Sequence, residues 1–311
     1  MKSKHLLKKY FTLFFYLSLV FLVIYLLRYD YLRIQIDKLN YGYLGISFFF
    51  LFSGFLLNAF CWYLVCEKLS KSISLGDAIS SYGLTIFGKY MPGKVWGLVG
   101  RAAYVSRAEG SLKTATQLSF YTQFLSIWVG GGLGLIGLVV IKPLLNYLWA
   151  IVLLWVLLTI IIFLPQQKLQ FLNNVTKKFN RDNHPLTHFT NAAHNLPTFF
   201  LFWLCWTLAF IFLIESLFPG LPIAWYTSLA FPFATTLGIM AFIAPGGLGV
   251  RESFMVFYLV HSGMSLEDAT LVSVVSRVWF IVGEIFIFIV AICLKYHFLK
   301  KLMSNSSQNA Q

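Results

Sequence analysis

Long apolar segments without charged residues dominate the chain and restrict it to a fold that lies in a lipid bilayer. A helix needs about 20 consecutive apolar residues to cross the bilayer core. Charged residues make up only 11% of the chain, against about 25% in a soluble domain. A soluble enzyme, a disulfide-linked secreted protein and a disordered chain are therefore excluded, and we predict an all-α, polytopic transmembrane helical bundle. The predicted spans are residues 10–27, 43–66, 114–141, 144–164, 198–214, 225–244 and 278–294.

The basic residues lie between these apolar segments and predict the orientation of the bundle. The net charge is +13, and Lys and Arg collect before residue 10, within 67–113, within 166–196 and after residue 294. Because basic residues mark cytoplasmic loops, both termini and the linker 166–196 are predicted to be cytoplasmic. Both termini on one side require an even number of crossings. We therefore predict about eight spans, with residues 248–276 supplying the eighth crossing or a pair of half-helices.

The composition and the position of the charges also indicate which partners the chain has and how many domains it forms. Basic residues that lie in the loops between apolar segments are typical of a membrane protein and do not predict a nucleic-acid partner. Residues 1–302 are predicted to form a single transmembrane bundle, and residues 303–311, rich in Ser, Asn and Gln, a disordered tail. The sequence has no separate catalytic domain and no pattern of nucleophile, metal ligands or His–carboxylate pair. We therefore expect no enzymatic activity, no metal and no cofactor.

Two glycine patterns imitate the nucleotide-binding motifs of soluble proteins. Gly132, Gly134 and Gly137 form a GxGxxG pattern inside an apolar segment, where small residues let helices approach closely. A GxxxxGK pattern ends at Lys89, but Tyr90 replaces the Ser or Thr that holds magnesium, and no strand precedes it. Neither pattern predicts a nucleotide site.

Two segments interrupt the apolar pattern in the same way. The first interruption, residues 89–101, is KYMPGKVWGLVGR, and the second interruption, residues 244–252, is APGGLGVRE. Each has Pro-Gly, further glycine and then Arg, and is followed by a similar helix start, SLKTAT at 111–116 and SLEDAT at 265–270. A third such start, SLGDA, lies at 74–78. Ser followed by an acidic residue three positions later resembles a helix capping box. We interpret the two regions as internal repeats.

The two interruptions form the candidate binding site. Paired Pro/Gly-interrupted segments in two halves of a transporter indicate its substrate site. Helix ends in such segments attract anions, and a neighbouring Arg binds phosphate in a bidentate manner. The alternative is a pair of interfacial turns whose Arg side chains reach out to water. The candidate substrate-binding residues are Lys89, Pro92, Gly93, Lys94, Arg101, Pro245, Gly246, Gly247, Gly249, Arg251, Glu252, Arg277 and Glu284.

Glu284 is the one charged residue within the last apolar span. A charge there costs a few kcal/mol unless it is paired or hydrated. Arg277 lies seven residues earlier, about 10 Å along the helix axis, so the two side chains are not expected to pair. Arg101 and Arg251 are the predicted partners of Glu284, and a purely structural ion pair is the alternative to a role in transport.

The second interruption, together with Ala269 and Arg277, resembles the C-terminal signature of the lysylphosphatidylglycerol synthase transmembrane region family, also called flippase-like. The first interruption resembles the N-terminal signature of this family, and the resemblance extends from the first helix to Leu294. It implies a bundle of the eight-helix type in the bacterial inner membrane or the archaeal membrane.

The resemblance also implies a role in lipid handling. In the multiple peptide resistance factors, this region is implicated in moving aminoacylated phosphatidylglycerol between leaflets, beside a transferase domain that uses aminoacyl-tRNA. The present sequence contains no such domain, so we expect no synthesis of lysyl-lipid. Other members belong to hopanoid, cardiolipin or lipid-linked sugar pathways. The implied function is binding or translocation of a phospholipid or polyprenyl-phosphate-linked lipid. The alternative is a non-transporting membrane partner that presents a lipid to a separate glycosyl- or aminoacyl-lipid enzyme.

Overall fold

The computed structural model describes most of the helical core of the chain. The predicted span 10–27, the segment 92–94 and nearly all of the linker 166–196 lie outside the described residues. The described residues are 39–67, 73–91, 95–109, 111–141, 195–222, 224–241 and 244–308, with scattered positions between 149 and 160.

Every secondary-structure element in these residues is helical, which confirms the predicted all-α class. The α-helices are α1 Tyr41–Glu67, α2 Leu75–Thr85, α3 Trp96–Glu109, α4 Leu112–Val140, α5 Leu196–Leu217, α6 Ala230–Met240, α7 Val250–His261 and α8 Leu266–Gln308. Short 3₁₀ turns occupy Ile86–Tyr90, Trp225–Leu229 and Pro245–Gly247. Among the described residues, α1, α4, α5 and the part of α8 up to Tyr296 are long and apolar enough to cross a membrane.

The predicted internal repeat is visible as a repeated order of elements. In the first half, the short helix α2 leads through a 3₁₀ turn into the short helix α3 and then into the long helix α4. In the second half, α6 leads through a 3₁₀ turn into α7 and then into α8. The helix starts noted in the sequence are genuine caps. The side chains of Ser74, Ser111 and Ser265 accept hydrogen bonds of 3.1, 3.3 and 3.1 Å from the backbone N–H three residues later.

The two halves pack reciprocally, because the first short helix of each half lies against the long helix of the other. Helix α2 packs on α8 and α6 packs on α4. Small residues allow this approach, as predicted for the glycines of α4. A Cβ atom added to Gly134 would lie 2.8 Å from the Cα of Phe233 on α6, and one added to Gly130 would lie 2.5 Å from the Trp203 ring on α5.

Helices α1 and α5 form an antiparallel pair beside the two halves. The indole N–H of Trp206 donates to the carbonyl of Leu51 over 3.3 Å, and the hydroxyl of Ser47 donates to the carbonyl of Ala209 over 2.7 Å. A Cβ on Gly54 would lie 2.3 Å from the Trp206 ring. Apolar and aromatic side chains thus form most of the contact between α1 and α5, and these hydrogen bonds to backbone carbonyls join the two helices.

Three boundaries differ from those predicted. The span 225–244 is wrong as a continuous α-helix. Residues Trp225–Leu229 form a 3₁₀ turn, and α6 covers only Ala230–Met240. Pro232 has no N–H to bond to the carbonyl four residues earlier, so a regular α-helix does not extend to the start of this segment. The helix that contains the predicted span 278–294 begins earlier, at the Ser265 cap, so Arg277 lies within α8. The backbone of α8 contains no proline and continues to Gln308, beyond the predicted end at residue 294, and the disorder of residues 303–311 stays a prediction.

The contact between α2 and α8 gives a test of the packing. A Cβ on Gly83 would lie 2.5 Å from the carbonyl oxygen of Ile287 and 2.6 Å from the Cβ of Ala291. Gly83→Ala is therefore expected to push the two helices apart and to destabilise the protein by about 1–3 kcal/mol. The measurement is the unfolding midpoint in a denaturing-detergent titration.

Gly45 on α1 is the matched control, because nothing lies within 4 Å of a Cβ added there. Gly45→Ala is expected to be neutral or stabilising by up to about 1 kcal/mol. Equal effects of the two substitutions would contradict the close approach of α2 and α8.

Candidate functional site

The two interruptions meet at a cavity of about 250 Å³. Tyr90 of the first interruption lies so close to the second that a Cβ on Gly246 would be 2.6 Å from its ring. Helices of both halves and the aromatic side chains of α1 and α5 complete the wall. Six of the residues predicted from the sequence line this cavity: Lys89, Arg101, Gly246, Arg251, Arg277 and Glu284.

Arg101, on α3, is buried and held by neutral groups. Its Nε donates to the hydroxyl of Ser119 over 2.6 Å, and its Nη2 donates to the carbonyl of the same residue over 2.7 Å. The guanidinium carbon lies 4.6 Å from the centre of the Trp62 ring, and only 5% of the residue is exposed. No carboxylate of the described residues lies within ion-pair distance, so its charge is offset only by dipoles and a ring face.

Arg251, on α7, occupies the equivalent place in the second half. Its guanidinium carbon lies 5.2 Å from the ring centre of Phe231 and 5.4 Å from that of Phe280. Its Nη2 reaches the hydroxyl of Ser276 on α8 only at 3.5 Å, and its Nε has no hydrogen-bond partner in the described part of the chain. With 6% exposure and no described carboxylate in reach, Arg251 is a buried cation that lacks an anion.

Glu284 pairs across the two halves, but with residues that we did not predict. Its carboxylate accepts a hydrogen bond from the ammonium group of Lys89 and another, over 2.8 Å, from the hydroxyl of Tyr90. Neither Arg101 nor Arg251 forms an ion pair with it. The prediction was wrong because the 3₁₀ turn Ile86–Tyr90 carries the first interruption onto α8, whereas each of the two arginines bonds to a serine on the long helix of its own half.

Arg277 fixes the shape of the second interruption. Its Nη1 donates to the carbonyl of Gly246 over 3.1 Å and to the carboxylate of Glu252 over 3.0 Å. The other carboxylate oxygen of Glu252 accepts from the backbone N–H of Gly249 over 2.8 Å. This network ties the 3₁₀ turn to the first turn of α7 and so positions Arg251, which belongs to that first turn.

The glycines of the second interruption allow a backbone path that side chains would block. Gly246, Gly247 and Gly249 have φ angles of 58°, 73° and 78°, which disfavour any residue with a Cβ. A Cβ on Gly247 would also lie 2.8 Å from the carbonyl oxygen of Gly238 on α6. The turn therefore lies directly on α6, and Pro245 begins it.

Gly247 and Gly249 form a matched pair for a stability test. Gly249→Ala introduces only backbone strain, because nothing lies within 4 Å of the added Cβ, and is expected to cost about 1–2 kcal/mol. Gly247→Ala adds a collision with α6 and is expected to cost about 1–3 kcal/mol more. Thermal unfolding in detergent measures the difference, and equal losses would contradict the contact with α6.

Several wall residues were not predicted as site residues. Thr235 on α6 is 8% exposed, and its hydroxyl has no hydrogen-bond partner in the described part of the chain. Asn58 and Gln123, polar residues inside the predicted spans 43–66 and 114–141, also line the cavity. A single polar residue inside an apolar span indicates a binding site only weakly, because such residues more often form hydrogen bonds between helices.

The remaining predicted residues lie outside this account. Pro92, Gly93 and Lys94 fall in the segment that the structure does not describe.

No group of three or more His, Cys, Asp and Glu side chains suited to a metal ion occurs in the described residues. The chemistry that the wall offers is recognition of an anion by guanidinium groups beside aromatic rings.

Comparison with known proteins identifies the family of the chain. Searches of curated proteins and of solved structures find no significant match. A family model described as the lysylphosphatidylglycerol synthase TM region matches residues 11–291, which include both interruptions and all the cavity-lining charges. The chain therefore belongs to the lysylphosphatidylglycerol synthase TM region family, and it is a helical membrane protein.

Proposed function

We propose that this protein binds the phosphate of a membrane lipid in the cavity and moves the lipid head group between the leaflets of the cytoplasmic membrane, without enzymatic activity. The observation that carries this proposal is Arg251, a buried cation that lines the cavity and has no carboxylate partner among the described residues. Phosphate is a strong acceptor for guanidinium groups, and leaving a buried charge unpaired is costly. A ligand that supplies an anion would compensate this buried charge.

The repeated architecture supports translocation as the purpose of binding. Transporters place their substrate site between two structural repeats, at interrupted helices, and here the two interruptions meet at the cavity. Arg101 and Arg251 occupy equivalent places in the two halves, so each half contributes one cation. In the proposed topology, both termini lie in the cytoplasm, as the basic loops predict.

The proposal is tested by reconstituting the purified full-length protein into liposomes with a trace of fluorescent phospholipid. Chemical quenching from outside reports the fraction of lipid in the outer leaflet over time. We expect faster exchange than in protein-free liposomes, and loss of this exchange in Arg251→Ala. Unchanged exchange in both Arg251→Ala and Glu284→Ala would contradict the assignment of the site.

The same liposomes separate transport from presentation of a lipid. Head-group binding without exchange would instead indicate a membrane partner that presents a lipid to a separate modifying enzyme. In that case the enzyme should co-purify with this protein from the native membrane.

A further inference from the structure

We infer that the cavity selects a terminal phosphate monoester, with two negative charges, over a phosphodiester or an amine-bearing head group. This inference rests on the proposed function and deepens it, because it names the head-group chemistry that the same site accepts. The argument depends on how the charges around the cavity are paired.

The charges around the cavity do not balance. The described wall contains four cations, Lys89, Arg101, Arg251 and Arg277, and one carboxylate, Glu284. Glu284 is bonded to Lys89, and Glu252, behind the wall, is bonded to Arg277. Four cations against these two carboxylates leave two positive charges without a counter-ion among the described residues.

The excess is localised on two particular side chains. Arg101 and Arg251 are the cations without a carboxylate, and both are nearly fully buried. Each lies against aromatic rings and bonds to a serine of the long helix in its own half. Bulk water and salt screen such buried charges poorly, so the ligand itself has to supply the compensating charge.

Head groups differ in how well they meet this requirement. A phosphate monoester carries about 1.5 to 2 negative charges near neutral pH, enough in number to offset both excess cations of the cavity. A phosphodiester carries a single negative charge and leaves one arginine uncompensated. An amine-bearing head group adds a cation, and Glu284, the only carboxylate in the described wall, is already bonded to Lys89 and Tyr90.

Monoester phosphates reach the site from more than one source. Phosphatidic acid and polyprenyl monophosphate both end in this group, and a soluble monoester such as glycerol 3-phosphate shares its charge but lacks a lipid chain. Because the cavity opens within an apolar bundle, we expect a lipid-linked monoester to bind and the soluble one to compete only weakly.

The experiment compares head groups on one acyl scaffold. The full-length protein in nanodiscs is titrated at about pH 8, where the second monoester proton is lost, with phosphatidic acid, phosphatidylglycerol, phosphatidylethanolamine and polyprenyl monophosphate. Tryptophan fluorescence reports binding, and glycerol 3-phosphate is added as a competitor. We expect both lipid monoesters to bind at least about tenfold more tightly than phosphatidylglycerol, from one additional charged hydrogen-bonded contact.

Variants connect this preference to the two arginines. Arg251→Gln and, independently, Arg101→Gln remove one excess charge each, and either is expected to bring the preference for monoester over diester close to unity. Arg251→Lys keeps the charge and should keep most of the preference. Lys295→Gln, at an exposed position of α8 outside the cavity wall, makes the same change in net charge and should leave the ratio unchanged.

The outcomes are distinct. A monoester preference that disappears in the glutamine variants and persists in Arg251→Lys supports the inference, and the better of the two lipid monoesters identifies the chain type. Equal or tighter binding of phosphatidylglycerol or phosphatidylethanolamine overturns the inference but leaves the proposed function intact. Binding of glycerol 3-phosphate as tight as that of the lipids also overturns it. No binding of any phosphate lipid overturns the proposed function itself.

Discussion

Replacing Arg251 with methionine is expected to weaken phosphate-lipid binding strongly while leaving the lipid-free protein at least as stable as before. The guanidinium is 6% exposed, has no described carboxylate partner and leaves its Nε unbonded. An uncompensated buried charge opposes folding, and an apolar residue of similar volume is expected to stabilise the protein by up to about 2 kcal/mol. Loss of a buried charged contact to phosphate should weaken binding by about 2–5 kcal/mol, or at least about thirtyfold.

The opposite signs of the two effects make this result diagnostic. Thermal unfolding without lipid measures stability, and titration of nanodiscs with phosphatidic acid measures binding. Arg277→Met is the matched comparison, because it removes the partner of Glu252 and of the Gly246 carbonyl and should destabilise the protein. If Arg251→Met destabilised the protein as much as Arg277→Met, Arg251 would be a structural residue and the site assignment would fail.

The pair formed by Lys89 and Glu284 should show the strongest energetic coupling in the described part of the protein. Glu284 is fully buried and is bonded to Lys89 and Tyr90, whereas the Lys89 side chain is 37% exposed. Breaking a buried pair by removing one partner costs about 3–5 kcal/mol. Since Lys89 reaches water, we expect Glu284→Gln to fall near the lower end, at about 3 kcal/mol. Lys89→Met leaves the fully buried carboxylate of Glu284 without its cation and is expected to cost more within that range.

The double variant Lys89→Met with Glu284→Gln should regain most of the stability, because it leaves no unpaired charge at this position. A double-mutant cycle of unfolding free energies in detergent measures the coupling. Additive losses in the double variant would show that the two side chains do not interact. Lipid exchange by the double variant then distinguishes a purely structural pair, which leaves transport intact, from a pair that has to open during transport.

Much of the fold follows from local features of the sequence. Apolar segments of sufficient length place the chain in a membrane, because backbone polar groups in lipid have to be satisfied within helices. The three serine caps form as predicted, since a capping bond joins residues only three positions apart. The spans of α1, α4 and α5 agree with the prediction, because a long apolar segment is also recognised from neighbouring residues alone. The span 225–244 was wrong as one helix, because its first five residues form a 3₁₀ turn and α6 covers only Ala230–Met240.

The cavity required information that no local pattern contains. Arg101 and Arg251 were recognisable from the repeated Pro-Gly and Gly-Arg order, and both line the cavity. The partner of Glu284 was not recognisable, because Lys89 lies 195 positions away and several cations satisfy the same charge rule. Only the reciprocal packing of α2 on α8 selects Lys89 from among them.

The sequence by itself therefore determined that this protein is a helical membrane bundle with two repeated interruptions and a few buried charges. The tertiary structure decided which of those charges compensate each other, and so which two have no counter-ion among the residues that the structure describes. The physical reason is that helix formation and membrane insertion depend on neighbouring residues, whereas charge pairing depends on distances between helices that are set by the packing of both halves.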